Sequence, residues 1–322
     1  MQRGIVLGVL IGIGGLSLAA AATEQPAGGG GQPQAPMVVE VEKLKDNLFV
    51  LKGGGGNTAV FLTANGVVVV DTKNPGWGQH ILDKIKTLTN KPVTTLINTH
   101  THGDHVSGNV AFPATVDVVT HENTKANMEQ MRPTFGSAPP QPGQSPPVNI
   151  FKANNGKGLP KRTFKDKMSL GGGNDQIDLY YFGRGHTNGD AWVVFPSLRT
   201  LHAGDIFARK GIPFLDANNG GSGVAIADSL QKAHDTIRNV DTIITGHSTQ
   251  MTWPDLKEYV TFNREFLEGV RTARKAGKTV DEVASTWKMP AKYMGYEAPQ
   301  ANRLKGNVQV VYDELNAAGK SR

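Results

Sequence analysis

Apolar and polar residues alternate from Val38 to Lys52, four glycines interrupt the pattern at Gly53 to Gly56, and two β-rich runs follow, Thr58 to Thr63 and Val67 to Val70. The alternation predicts a strand with one face buried, and Asn65-Gly66 between the two later runs predicts a hairpin, because Asn-Gly accepts the positive φ angles of a tight turn. Gly76 to Leu88 changes to helical spacing, with Ile81, Ile85 and Leu88 on one side. Val93 to Asn98 is β-branched and apolar and reads as a buried strand. A strand at Val116 to Thr120 and a polar helix from Glu122 to Met131 follow. Pro133 to Pro160, rich in Pro, Gly, Gln and Asn, has no period and is expected to be a long surface loop. Strand patterns return at Gln176 to Phe182, Ala191 to Phe195, Thr200 to Ala203 and Thr242 to Thr245, with a helix at Ala227 to Arg238 and a mostly helical tail from Asp255 to Ala318. The order is that of an α/β chain without short repeats.

Composition changes this picture at the N-terminus. Arg3 precedes an apolar run from Ile5 to Leu18, and Ala20-Ala21-Ala22 supplies small residues, so a signal peptide over 1–22 is expected, cleaved after Ala22. The run is short for a membrane span, which needs about 20 apolar residues. Residues 23–36, almost all Gly, Pro, Gln and Ala, are expected to be a flexible linker, leaving 37–322 as one catalytic domain. The expected location is periplasmic or secreted, with no stable membrane insertion after cleavage. The net charge of +6 is spread along the chain and does not gather with aromatics, which disfavours a nucleic-acid partner and leaves a small-molecule substrate. The chain has no cysteine, which excludes disulfides and thiolate ligands.

The chemistry is concentrated where the strand Val93 to Asn98 ends. Thr99 to Asn109 contains His100, His102, Asp104 and His105 in the pattern His-x-His-x-Asp-His. Imidazoles and a carboxylate this close need a cation or solvent, and a nitrogen and oxygen donor set suits zinc. Three further candidates stand at strand ends beside glycine: His186 in Gly-Arg-Gly-His-Thr-Asn-Gly-Asp, Asp205 in His-Ala-Gly-Asp, and His247 in Thr-Gly-His-Ser. Asp71, directly after four valines, is expected to orient the histidine loop from behind.

With these five elements in this order, the sequence resembles the metallo-β-lactamase superfamily of zinc hydrolases over nearly all of the chain beyond the linker. The resemblance implies an αββα sandwich, two β-sheets flanked by helices, with the site at one edge. It implies two zinc ions per chain, the first held by His100, His102 and His186 and the second by Asp104, His105 and His247, with Asp205 bridging and Asp104 also catalytic. It further implies hydrolysis in which metal-bound hydroxide attacks the carbonyl of a small cyclic amide, lactone, ester or thioester. Asp205 stands where the best-known antibiotic-hydrolysing branch has cysteine, and is similar to the thioesterases and lactonases, glyoxalase II among them. A glyoxalase II-like thioester hydrolase, or a periplasmic metal-binding accessory protein without turnover, is the alternative. No Gly-x-Ser-x-Gly nucleophile motif occurs. His80, His121, His202 and His234 match no ligand position and are expected to be structural or surface residues, whereas Arg184, Trp77 and Phe207 are candidates either to line a substrate pocket or to serve in the core or at the rim.

Overall fold

The computed structural model describes residues 37–137 and 148–320; the expected signal peptide and linker lie outside the described residues. The chain runs β1 (Glu40–Lys45), β2 (Leu48–Lys52), β3 (Thr58–Leu62), β4 (Val67–Val70), α1 (Trp77–Leu88), β5 (Val93–Ile97), α2 (Gly103–Val106), β6 (Asp117–His121), α3 (Glu122–Gln130) and α4 (Ile150–Ala153). It continues β7 (Arg162–Phe164), β8 (Lys167–Leu170), β9 (Ile177–Tyr180), β10 (Trp192–Phe195), β11 (Thr200–Gly204), α5 (Ile226–Thr236), β12 (Thr242–Thr245), β13 (Met251–Thr252), α6 (Trp253–Lys275), α7 (Val280–Thr286) and α8 (Ala301–Lys320). β1 to β7 form one sheet in sequential order, antiparallel up to β4 and parallel from β4 to β7. The other sheet has the order β13-β12-β11-β10-β9-β8, in which only β11 and β12 pair in parallel.

The two-residue period of the strands builds the layers. Val68 and Val70 point between the sheets with Phe61, Ile97, Val193 and Phe195, while Val67 and Val69 join Ile81 and Ile85 of α1 in an outer core. On the second sheet Trp192 and Val194 face outward, against Leu230 of α5, Tyr259 and Phe262 of α6 and Val308 and Val311 of α8. Helix, sheet, sheet and helix therefore stack as four layers, the αββα arrangement that the resemblance implied. No helix among the described residues is long and apolar enough to cross a membrane.

Several expectations are corrected in detail. The run Val38 to Lys52 is two strands and not one, because the chain turns at Asp46-Asn47 and pairs β1 with β2. β5 is buried only at Leu96 and Ile97, since its first half, with exposed Thr94, lies at the rim. Within the stretch read as structureless loop, Asn149 accepts hydrogen bonds from the amides of Phe151 and Lys152 and starts α4, which buries Phe151. β7 and β8 were not expected at all. The tail is interrupted between α7 and α8 by a non-helical passage from Trp287 to Gln300, which matters for the pocket described below.

Candidate metal centre

The parallel strands β4 and β5 end side by side, and the loops beyond them carry Asp71 and the His-x-His-x-Asp-His run. β11 and β12 end opposite, in Gly204-Asp205 and Gly246-His247, and Asn57 joins the halves: its amide donates to Gly246 O (2.7 Å) and its Nδ2 to Thr245 O and Ser248 O (both 2.8 Å). Gly204 takes φ 55° and ψ −143°, a conformation open to glycine, and this aims Asp205 inward. A Cβ on Gly246 would stand 1.8 Å from Asp205 Oδ1, so the two loops approach as closely as they do because that side chain is missing.

The structure brings all seven candidate ligands together. Ligand atoms of His100, His102, His186 and Asp205 lie within 4.8 Å of one another, and those of Asp104, His105 and His247 form a second such group. Asp205 faces both: Oδ1 is 3.2 Å from His105 Nε2, and Oδ2 is 3.2 Å from His247 Nε2, 3.8 Å from His186 Nε2 and 4.0 Å from His100 Nε2.

Hydrogen bonds behind the ligands decide which nitrogen of each ring faces inward. A carboxylate can only accept, so His105 donates Nδ1–H to Asp71 Oδ2 (2.7 Å) and His102 donates Nε2–H to Asp216 Oδ2 (2.7 Å). His186 donates Nδ1–H to the carbonyl of Phe214 (2.6 Å). Thr99 gives its hydroxyl proton to Asp71 Oδ2 (2.7 Å) and so accepts from His100 Nδ1 (2.9 Å). Lone pairs are left on His100 Nε2, His102 Nδ1, His105 Nε2 and His186 Nε2, all turned toward the centre. His100 Nε2 is buried without a hydrogen-bond partner, as is Asp205 Oδ1. His102 Nδ1 and His186 Nε2 stand 3.0 Å apart, and His105 Nε2 and His247 Nε2 3.2 Å apart. At His102 and His186 two lone pairs facing each other at that distance repel unless a cation lies between them; between His105 and His247, both raised in pKa by carboxylates, a proton takes that place when no metal is bound. Two nitrogens on one tetrahedral zinc, each at about 2.0–2.1 Å, would be separated by about 3.3 Å. The donor set therefore fits a metal, and Asp71 and Asp216 act through the histidines they hold.

Electrostatics agrees. Burial, reinforced by the neighbouring imidazoles, pushes His100 well below the usual histidine value and His186 down to about 4, so both are neutral and ready to bind. Burial works the same way on His105 and His247, but carboxylates outweigh it. Asp205, Asp104 and Asp71 raise His105 well above its ordinary value, and hydrogen bonds to Asp104 and Asp205 raise His247 to about 9. Burial opposes the charge on Asp104, yet His105 and His247 pull its carboxyl down to about 2. Positive charge is wanted at this point, whether from protons or from a metal.

Asp71 is fully buried at φ 63°, with Oδ1 accepting from the Thr99 amide (2.8 Å). Its other oxygen holds the His105 ring and the Thr99 hydroxyl to which His100 donates. Sequence reasoning missed Asp216, which no local pattern links to His102 at a separation of 114 residues. It also missed Lys73, which is fully buried and donates Nζ–H to Leu51 O (2.9 Å) and Gly56 O (2.7 Å), pinning the glycine loop against the site. Desolvation lowers that amine to about 7. A charged residue following an all-valine strand and Asp71 was the available signal. His202 is structural, donating from Nε2 to Asn57 O (3.1 Å). His121 caps α3, and its Nε2 donates to Lys165 O (2.8 Å); His80 is exposed, and half-buried His234 stacks on Trp253.

A cavity of about 410 Å³ opens onto His102, Asp104, Asp205 and His247. None of the three residues proposed for its walls lines it. Phe207 is core, stacked on Tyr259; Trp77, the first residue of α1, packs against the outer core; Arg184 donates to Gly220 O and Gly221 O and secures a turn. The walls come instead from Ala208 to Phe214 and from Glu297 to Arg303, the second inside the tail expected to be mostly helical, and no pattern in either segment pointed to a pocket.

Comparison with known proteins places this architecture. A sequence profile of the metallo-beta-lactamase superfamily matches residues 51–247. A metallo-beta-lactamase type 2 from Elizabethkingia meningoseptica is 27% identical over 235 residues, which are 67% of this chain and 80% of that protein. Among solved structures, a metallo-beta-lactamase from Pontibacter korlensis superposes with a TM-score of 0.56 at 20% identity, covering 70% of this chain and 99% of that one. The sec-alkylsulfatase Pisa1 from Pseudomonas sp. superposes with a TM-score of 0.64 at 15% identity over 86% of this chain, which spans half of that protein's length. At these identities the structural matches speak to fold.

Proposed function

The chain belongs to the metallo-beta-lactamase superfamily, and from that premise we propose that it is a binuclear zinc-dependent hydrolase, periplasmic or secreted, which opens a small cyclic amide, lactone, ester or thioester at its carbonyl. Membership in a mostly hydrolytic superfamily supports the hydrolase. The observation that carries the reading is the set of inward lone pairs, each fixed by a hydrogen bond behind its ring, facing one centre at the floor of a cavity. In this reading His100, His102 and His186 hold one metal, Asp104, His105 and His247 the other, and Asp205 lies between. When bound, such ions supply a nucleophile from water at neutral pH and a Lewis acid for the electrophilic oxygen.

The chain's own residues do the rest. Asp104, ionised and with its side chain about one-third exposed to the cavity, accepts a hydrogen bond from the attacking water at Oδ2 and orients it. Phe214, Ile212 and Pro213 form an apolar wall that restricts solvent around the scissile group. No side-chain nucleophile is required, so no acyl-enzyme forms. Export is supported by Arg3, the apolar run from Ile5 to Leu18 and the small residues after it.

An accessory protein that stores metal needs no cavity above its ligands, and the opening onto Asp104 and His247 favours the enzyme. The test is a panel of a chromogenic β-lactam, an aryl lactone and a thioester, offered to protein loaded with zinc. Turnover of at least one, abolished by His100→Ala, is expected. Retention of both metals with no turnover of any would support the accessory role instead.

A further inference from the structure

The end of the cavity away from the metal ligands is built by residues beyond the segment matched to the family. The non-helical passage between α7 and α8 contributes Glu297, and the first turn of α8 contributes Arg303. The Arg303 guanidinium carbon lies 4.4 Å from the centroid of the Phe214 ring, and that ring lies 5.7 Å from the rings of both His102 and His186. One aromatic side chain thus separates a fixed cation from the first ligand group.

The charge at this end is not balanced. Arg209 also lines the cavity, and it is paired with Glu297 (3.3 Å). No carboxylate among the described residues lies within ion-pair distance of Arg303, and it makes no hydrogen bond there, so its planar set of five N–H donors is held in place by a ring face alone. Two arginines and one glutamate leave one uncompensated positive charge facing the cavity. Partial desolvation and the proximity of Arg209 lower the Arg303 pKa, while Asp205 at the metal ligands acts in the opposite direction, so the acidic group that acts on this cation belongs to the candidate ligand set. A guanidinium in this setting binds oxyanions, carboxylates bidentately.

We propose that Arg303 is a specificity-determining residue, and that the substrate is an acyl compound carrying a carboxylate, which docks on Arg303 while the carbonyl to be cleaved sits at the metal ligands. The proposal rests on the hydrolase reading for its scissile carbonyl. The carboxylate site itself stands on Arg303, Phe214 and the Arg209–Glu297 pair. Phe214 contacts both ends, its ring 4.4 Å from the Arg303 guanidinium carbon and 5.7 Å from the rings of His102 and His186, so one compact substrate can reach from the anion site to the metal ligands. The cavity volume suits a ligand of that modest size.

The experiment uses two chromogenic substrates, the 4-nitrophenyl monoester of succinic acid and the same compound with its free carboxyl capped as the methyl ester. Each is measured with zinc-loaded full-length protein, wild type, Arg303→Gln and Arg303→Lys. Calorimetric binding of succinate to the metal-free protein is the second readout. The expected result is a preference for the free carboxylate that Arg303→Gln reduces by about 10–100-fold, mostly through KM, with Arg303→Lys restoring part of it, since a charge-assisted hydrogen bond is typically worth that much. Succinate binding should weaken in parallel in the metal-free protein. Succinate binding that needs Arg303, without turnover of either ester, would uphold the anion site and count against the hydrolase reading. Turnover with the same ratio of the two substrates in wild type and Arg303→Gln would overturn the anion site and leave the hydrolase reading standing. Circular dichroism confirms that the variants fold, which is expected because Arg303 is exposed.

Discussion

At the scale of single residues, the two ligand groups differ in what they hold before a metal arrives. His186, down to about 4, and His100 offer free lone pairs at any pH near neutrality, whereas His247 keeps a proton up to about pH 9 and His105 is likewise raised. A metal entering the group of Asp104, His105 and His247 must displace those protons, so its affinity falls as pH drops below about 9, by about tenfold per unit for each proton released. Acidification from pH 9 to pH 5 should therefore remove metal in two steps, this group emptying first and the group of His100, His102 and His186 later. Metal content after desalting at each pH is the check; simultaneous loss would contradict the assignment. The sign reverses for the metal-free fold. There the charged His247 contributes stability fully below about 6.5, its ordinary value, and that contribution is lost as pH rises through about 9.

The ligands were legible in the sequence because each stands at the end of an apolar strand, and four of them lie within six residues. Their supports were legible only where they were local. Asp71 could be found as the first residue after Val67 to Val70. Asp216, Lys73, Phe214 and Arg303 could not, because their partners are set by how loops from distant segments meet, and no periodicity encodes that.

At the scale of elements, strands and helices with strong periods were readable, and short ones were not. β7 has three residues and β8 four, both carry Lys or Arg, and each earns its place by pairing with a neighbour. α4 depends on the cap of Asn149 and on the burial of Phe151 more than on any helical pattern. The approach of the β12 loop to the β11 loop is the most exacting contact between elements, since Gly246 abuts the Asp205 carboxylate. Gly246→Ala should drive Asp205 out of the position from which it faces both groups. Overpacking typically costs about 1–3 kcal/mol, and displaced supports lower metal affinity about 10–100-fold. Chelator competition should show both groups loosened in a variant that still folds; unchanged affinity would mean the loop yields without moving Asp205.

At the scale of the molecule, the order of strands and helices implied an α/β chain, and the resemblance supplied the four layers. The division into two sheets could not be derived from the pattern, because alternation is the same on either sheet and only pairing separates β1 to β7 from β8 to β13. The C-terminal helices were readable as helices, but not that Arg303 of α8 and Glu297 of the passage before it would line the cavity. Layers, loops and tail all converge on one centre, so the account stands or falls on whether that centre takes two metals and uses them. The direct measurement is a titration of metal-free protein with zinc, following bound metal and hydrolysis of a chromogenic acyl substrate in the same sample. The account predicts no hydrolysis without metal and activity that saturates as binding reaches two ions per chain. Hydrolysis undiminished in the metal-free protein, or binding that never exceeds one ion, would contradict it.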